Sequence, residues 1–271
     1  MEDMLPWLRR LDCEMWTYSL LSFLIAHTIA DFAIRSEFLK NDRRAPSQPV
    51  AYHLLAFFAI SSLVLVANPV VRGQWPYVGT VVLAGCLVHL FIDLVVARGG
   101  MWAATVGRGQ RRLFTLQQAA KLAVLAALAT VIADRLSVPG MVWEFTPELW
   151  RSTRPLAYVF GYAFAVFAGD AFVSLMLTYL EWKPGAKEGG LPGAGRIIGI
   201  FEALLVTTFV VGCQYSAVGF ALTAKSIARF EWLKDQKKTE YFLIGTLSNI
   251  AMSVLGGILA LWLAGQSIFP E

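Results

Sequence analysis

Charge is what this chain has least of. Only 15% of its 271 residues are Asp, Glu, Lys or Arg, against 57% hydrophobic, and the mean hydropathy is +0.58. A soluble domain needs a charged shell, so this balance excludes one and implies a polytopic membrane protein. Long polar stretches are missing too: the segments between apolar runs span about 7 to 20 residues, the length of connections and not of domains. The apolar runs show no alternation, which argues against a β-barrel. Cysteine is scarce, and Cys13, Cys86 and Cys213 form no CxxC pair and are odd in number, so no disulfide framework is expected. No basic patch is dense enough for nucleic acid, and the net charge of +4 reflects loop lysines and arginines facing a membrane surface. The N-terminal stretch MEDMLPWLRRLDCEM lacks a basic region followed by an apolar core and a small-residue cleavage site. It reads as a short interfacial helix ahead of an uncleaved first span.

What the chain does have is apolar runs of about 20 residues, each long enough to cross a bilayer. They fall at 16–35, 51–69, 77–97, 117–136, 155–181, 197–215 and 240–264. The expected fold is an all-α transmembrane helical bundle of seven to eight spans. It is organised as a module over 1–136, a connection over 137–154 and a second module over 155–271. The stretch 216–230, YSAVGFALTAKSIAR, is a short eighth span, a re-entrant segment or an interfacial helix. Lysines and arginines concentrate in alternate connections, and the positive-inside rule puts those in the cytoplasm, with both termini outside. That alternation requires 216–230 to cross. The Gly- and Pro-rich stretch 183–195 reads as a hinge between helix groups.

Histidine occurs three times, and all three fall near the same depth. In the first run, FLIAHTIADFAIR, His27 and Asp31 are one turn apart; in the third, LVHLFIDLVVAR, His89 and Asp93 repeat the spacing. Positions i and i+4 share a helix face. Both aspartates lie about one turn from the cytoplasmic end, and His53 sits in the first turn of the helix between, so the five groups are expected in one layer. Ionisable groups inside a span are costly and are functional candidates by default. Three chemistries suit the set. His27, His53 and His89 with Asp31 and Asp93 suit a divalent metal, zinc foremost, with Asp31 or Asp93 activating a bound water. The same groups suit a proton or ion path. They also suit polar glue between helices.

The loop after the third run carries Arg98, Arg108, Arg111 and Arg112 and no acids. It would receive an anionic ligand or lipid head group, against the plainer reading of positive-inside bias. The second half holds its own intramembrane charges: Asp170, Glu202, Gln214, Lys225, Arg229 and Glu240. A Glu202–Lys225 or Glu202–Arg229 pair is expected there, since lipid cannot solvate lone charges. Gly195 and Gly199 form a GxxxG spacing that allows close helix approach. Tryptophans such as Trp16, Trp75, Trp143, Trp150, Trp182 and Trp232 sit at span ends as interfacial anchors. Expected partners are membrane lipids and, in a homo-oligomer, further copies of the chain.

The motifs AHTIADFAIRSEFLKNDRR (26–44), YHLLAF (52–57) and LVHLFID (87–93) resemble the bacterial family known as domain of unknown function 3307. GRIIGIFEALL, GCQYSAVGFALTAKSIARFEWLKD and EYFLIGTLSN resemble the C-terminal part of its longer members. The resemblance implies a bacterial inner-membrane protein with His27, Asp31, His53, His89 and Asp93 as functional positions of the first half. In the second half it implies Glu202, Gln214, Lys225, Arg229 and Glu240. Its His/Asp pattern is similar to that of metal-dependent hydrolases of the bacterial inner membrane. The leading expectation is therefore a metal-dependent hydrolase acting on a lipid or other amphipathic substrate. The alternatives are an ion- or proton-coupled transporter or channel, and a membrane scaffold or effector.

Overall fold

The computed structural model of the chain describes residues 5–34, 47–103, 109–136, 153–178, 180, 191, 193–230 and 234–268. Every regular element among these residues is helical. The chain divides into two compact units, residues 1–153 and 154–271. Among the described residues five helices are long and apolar enough to cross a membrane: Trp75–Val95, Leu116–Leu136, Arg154–Leu177, Ala194–Val211 and Gln236–Leu263. A shorter apolar helix covers Tyr52–Ala67.

In the first unit α1 (Leu5–Thr28) runs without a break into a π-helical segment, Ile29–Ile34. Then come α2 (Ser47–Ala67), a short α3 (Pro69–Gly73), α4 (Trp75–Ala103) and α5 (Gly109–Leu136). The join between α2 and α3 is set locally: Asn68 is the N-cap, its side chain accepting from the Val70 amide, and Pro69 follows where its missing N–H costs nothing. The four long helices close a ring in which α1 and α4 each pack on both α2 and α5. Inside the ring Phe23, Phe57, Leu65, Val82, Leu125 and Ile132 are fully buried, with the Phe23 and Phe57 rings stacked 6.2 Å apart. Outside it Leu55, Leu63, Leu83, Leu87 and Phe91 are exposed, the inversion that a lipid surrounding permits.

The loop expected over 98–116 is largely helical, since α4 continues to Ala103 and α5 begins at Gly109. Arg108 lies outside the described residues, as do the side chains of Arg98, Arg111 and Arg112. Most of the expected connection 137–154 and of the expected hinge 183–195 lies outside them too.

The second unit is built on its last helix. A continuous rod runs through α6 (Arg154–Ala163), a π segment (Phe164–Ala168) and α7 (Gly169–Thr178), and α8 covers Ala194–Val211. Both pack on α10 (Gln236–Leu263). The contact with the rod is close because glycines face each other. A Cβ on Gly161 would lie 2.6 Å from the Gly256 carbonyl oxygen, and one on Gly256 would lie 2.7 Å from that of Gly161. Between α8 and α10, α9 (Tyr215–Ala228) folds back along α8 after a tight turn in which Cys213 takes a left-handed φ of 54°. The ambiguous stretch 216–230 is thus a 14-residue helix with no buried residue. At about 1.5 Å per residue it reaches about 21 Å, short of the roughly 30 Å hydrocarbon core.

Candidate functional site

The bundle of the first unit brings all five expected groups into contact. His27 closes the last turn of α1, and Asp31 follows in the π segment. His27 Nδ1 stands 3.7 Å from Asp31 Oδ2, so the i,i+4 spacing puts both on one face. From α2, His53 Nε2 faces Asp31 Oδ1 at 3.0 Å and Asp93 Oδ2, from α4, at 3.6 Å. His89, one turn before Asp93, lies with its ring parallel to that of His27 at 5.5 Å and edge-on to that of His53 at 6.4 Å. All five side chains are buried.

The centre of the site is a residue that hydropathy and motif spacing do not single out. Lys121, on α5, is fully buried, and its ammonium lies between the two carboxylates, 2.9 Å from Asp31 Oδ2 and 2.9 Å from Asp93 Oδ1. Two glutamines from the preceding turn hold the same carboxylates. Gln117 Nε2 donates to Asp93 Oδ1, and Gln118 Nε2 donates to Asp31 Oδ2 at 3.1 Å. The Gln118 carbonyl oxygen pairs with His27 Nε2 at 3.0 Å. Asp31, Lys121, Asp93 and His53 therefore form a ring in which each carboxylate faces both nitrogen groups. A signal for Lys121 existed: it is a cation set inside an apolar run, the kind of residue that demands a partner on another helix.

This arrangement bears on a metal. Among the described residues no three His, Cys, Asp or Glu side chains meet in a way that holds a metal ion. The physical reason is Lys121: the place where an ion would bridge Asp31 and Asp93 is filled by an ammonium of like charge. The donor set, as folded, does not fit a divalent metal.

Charge bookkeeping defines what the ring can do. With neutral imidazoles it holds two carboxylates and one ammonium, an excess of one negative charge in an apolar bundle. That excess is removed by one proton or by one monovalent cation. Among the described residues, both ring nitrogens of His89 are buried without a hydrogen-bond partner, as are Nδ1 of His27 and of His53. Buried polar atoms of that kind call for an explanation, and they cluster here.

Among the described residues the expected charges of the second unit stand in several separate contacts. Lys225, on α9, donates to Glu202, on α8, and Asn249 Nδ2 donates to the same Glu202 Oε2 at 3.0 Å and to the Gly199 carbonyl at 3.1 Å. Asp170 finds Arg196, whose Nε is 3.0 Å from Oδ2. Arg229 caps α9 with its guanidinium 5.9 Å from the Phe242 ring. Gln214 stands apart at the N-cap of α9, its amide donating to the Gly212 carbonyl. Glu240 is an exposed residue of α10 that accepts from Gln236. These are mostly pairs that neutralise charge across helices, with two surface residues beside them.

Residues 19–144, which contain every member of the first cluster, match the model of a family described as protein of unknown function (DUF3307). No curated protein and no solved structure matches the chain.

Proposed function

We propose from the cluster itself that this chain, whose residues 19–144 match the DUF3307 family model, a description that lends no activity, binds and releases a proton or small cation within the membrane, as an ion- or proton-coupled transporter does. One observation carries the reading: a fully buried Lys121 shared by Asp31 and Asp93, with His53 facing both. Such a ring holds its charges only by mutual compensation, and it is one positive charge short of neutrality. Ionisable groups kept at that cost inside a span mark ion paths and proton relays. The hydrolase reading needs the same histidines and aspartates to gather a metal, and Lys121 stands in its place. The polar-glue reading uses the same contacts and differs in what a charge-neutral variant does. The lysine- and arginine-rich connections support an inner-membrane placement with the Asp31 and Asp93 end towards the cytoplasm.

Purified full-length protein in liposomes provides the test, with proton and alkali-cation flux followed under an imposed gradient. Flux above that of empty liposomes is expected, together with its loss in an Asp31→Asn variant that still folds. Wild-type liposomes no leakier than empty ones sink the proposal.

A further inference from the structure

The position held by the Lys121 ammonium has a size and a charge of its own. Its Nζ lies 3.1 Å and 2.9 Å from the two oxygens of Asp31 and 2.9 Å from Asp93 Oδ1. Gln118 and Gln117 donate to Asp31 Oδ2 and Asp93 Oδ1, oxygens that also face the ammonium, and His53 faces Asp31 Oδ1 and Asp93 Oδ2. Magnesium needs oxygens at about 2.0–2.1 Å and calcium at about 2.3–2.6 Å. Either ion would have to draw both carboxylates inwards from where they now stand. A cation of ammonium size meets oxygens at 2.9–3.1 Å where they already stand. It also replaces one positive charge by one, so the ring's balance does not change. Beside this seat His89 is fully buried with both ring nitrogens unpartnered, at a ring distance of 6.4 Å from His53. That is a polar group available to whatever enters.

We propose that the exchangeable ligand of the cluster is a monovalent cation of ammonium size, ammonium or potassium, which occupies the seat between Asp31 and Asp93 when Lys121 withdraws. Lys121 is then a tethered competitor for its own site. This deepens the ion-coupled reading above and rests on it.

The test is rescue of a Lys121→Met variant, which keeps most of the buried stem and removes the ammonium. Full-length protein in detergent is melted at equal ionic strength in ammonium, potassium, sodium, magnesium and choline chlorides. Wild type should be indifferent to the choice. Lys121→Met should melt lower in choline and recover in ammonium or potassium, saturably. With the cation at 100 times its Kd the folded-to-unfolded ratio rises roughly 100-fold. Recovery in ammonium alone, or in both, says which ion the seat takes. Equal recovery in sodium or magnesium overturns the size argument, and no recovery in any salt overturns the seat.

Should the variant not fold in choline, its isolation in ammonium or potassium supports the proposal, and failure in every salt sinks it. Lys121→Met/Asp93→Asn, with half of the seat removed, should ignore the cation; rescue there places the ion elsewhere and refutes the assignment. Rescue without liposome flux keeps the seat and removes transport. Flux without rescue keeps transport, gives it to the proton, and removes the seat.

Discussion

Deleting a positive and deleting a negative charge from the same ring should have very different costs, and the geometry says which is larger. The starting charge with neutral imidazoles is minus one: Asp31 and Asp93 against Lys121. Lys121→Met takes it to minus two and strips the ammonium from three carboxylate oxygens. Breaking a buried pair from one side costs about 3–5 kcal/mol, because the partner charge stays buried and unpaired. Asp93→Asn takes the ring to zero. The carbonyl oxygen of the new amide still accepts from Gln117 and Lys121, so what is lost is charge assistance, about 1 kcal/mol per bond and partly offset by the relieved excess.

The two variants should therefore differ by about 2 kcal/mol or more, with Lys121→Met the less stable. In membranes the unfolded chain also finds polar partners, which compresses single values towards about 1 kcal/mol. Both variants share that reference, so their order survives. Reversible unfolding of full-length protein in mixed micelles, titrated with denaturing detergent, measures the difference directly. If Asp93→Asn costs as much as Lys121→Met, the ring is already neutral. An imidazolium, with His53 the nearest, then supplies the missing charge, and the count of minus one is wrong.

Other outcomes rest on particular contacts. His89→Leu should leave the melting temperature unchanged or raise it, since an imidazole with no partner contributes an unmade hydrogen bond worth about 1–3 kcal/mol; a large loss on calorimetry would show that something binds it. Gly161→Ala drives a methyl group to 2.6 Å from the Gly256 carbonyl and should destabilise the second unit by about 1–3 kcal/mol. Gly199→Ala, where a Cβ meets nothing within 4 Å, should be neutral or gain up to about 1 kcal/mol in the same assay. Glu202→Gln loses a partly exposed ion pair with Lys225 but keeps an acceptor for Asn249, so a drop of about 1 kcal/mol in unfolding experiments is expected.

Much of this was legible from hydropathy and depth alone. Apolar runs of about 20 residues became helices because lipid leaves the backbone no other way to satisfy its polar groups. His27, His53, His89, Asp31 and Asp93 met because each lies near the same end of its run and short connections keep the helices adjacent. Glu202 with Lys225 was legible for a similar reason, two opposite charges in consecutive apolar segments. Lys121 was not, because a hydropathy profile does not say which face of α5 turns inwards; Gln117 and Gln118 carried no signal without it. Arg196 escaped as the partner of Asp170 because it falls at a helix start and counts there as a connection residue. Gln214 and Glu240 failed to join the charge set because they too stand near helix starts, with surface or local partners. The π segment at Ile29–Ile34 has no proline or glycine to announce it, and we have no sequence account of it.

That segment matters for how the ring works. Each of the four helices supplies a group whose compensation stands on another helix: Asp31 from the end of the first, His53 from α2, Asp93 from α4 and Lys121 from α5. Pulling away the helix of Asp31, Asp93 or Lys121 strands a charge, and pulling away α2 takes His53 from both carboxylates, so the ring acts as a keystone while it is complete. The two carboxylates are nevertheless mounted differently. Asp93 sits within the regular α4, with about ten residues of helix beyond it. Asp31 sits in a wide turn at the end of α1, a conformation rare enough to be found mostly as single turns at functional sites. A wide turn that tightens to α-helical spacing rotates the residues beyond it without moving the helix before it. The two carboxylates that share Lys121 are thus held by different backbones, a wide turn for Asp31 and a regular helix for Asp93.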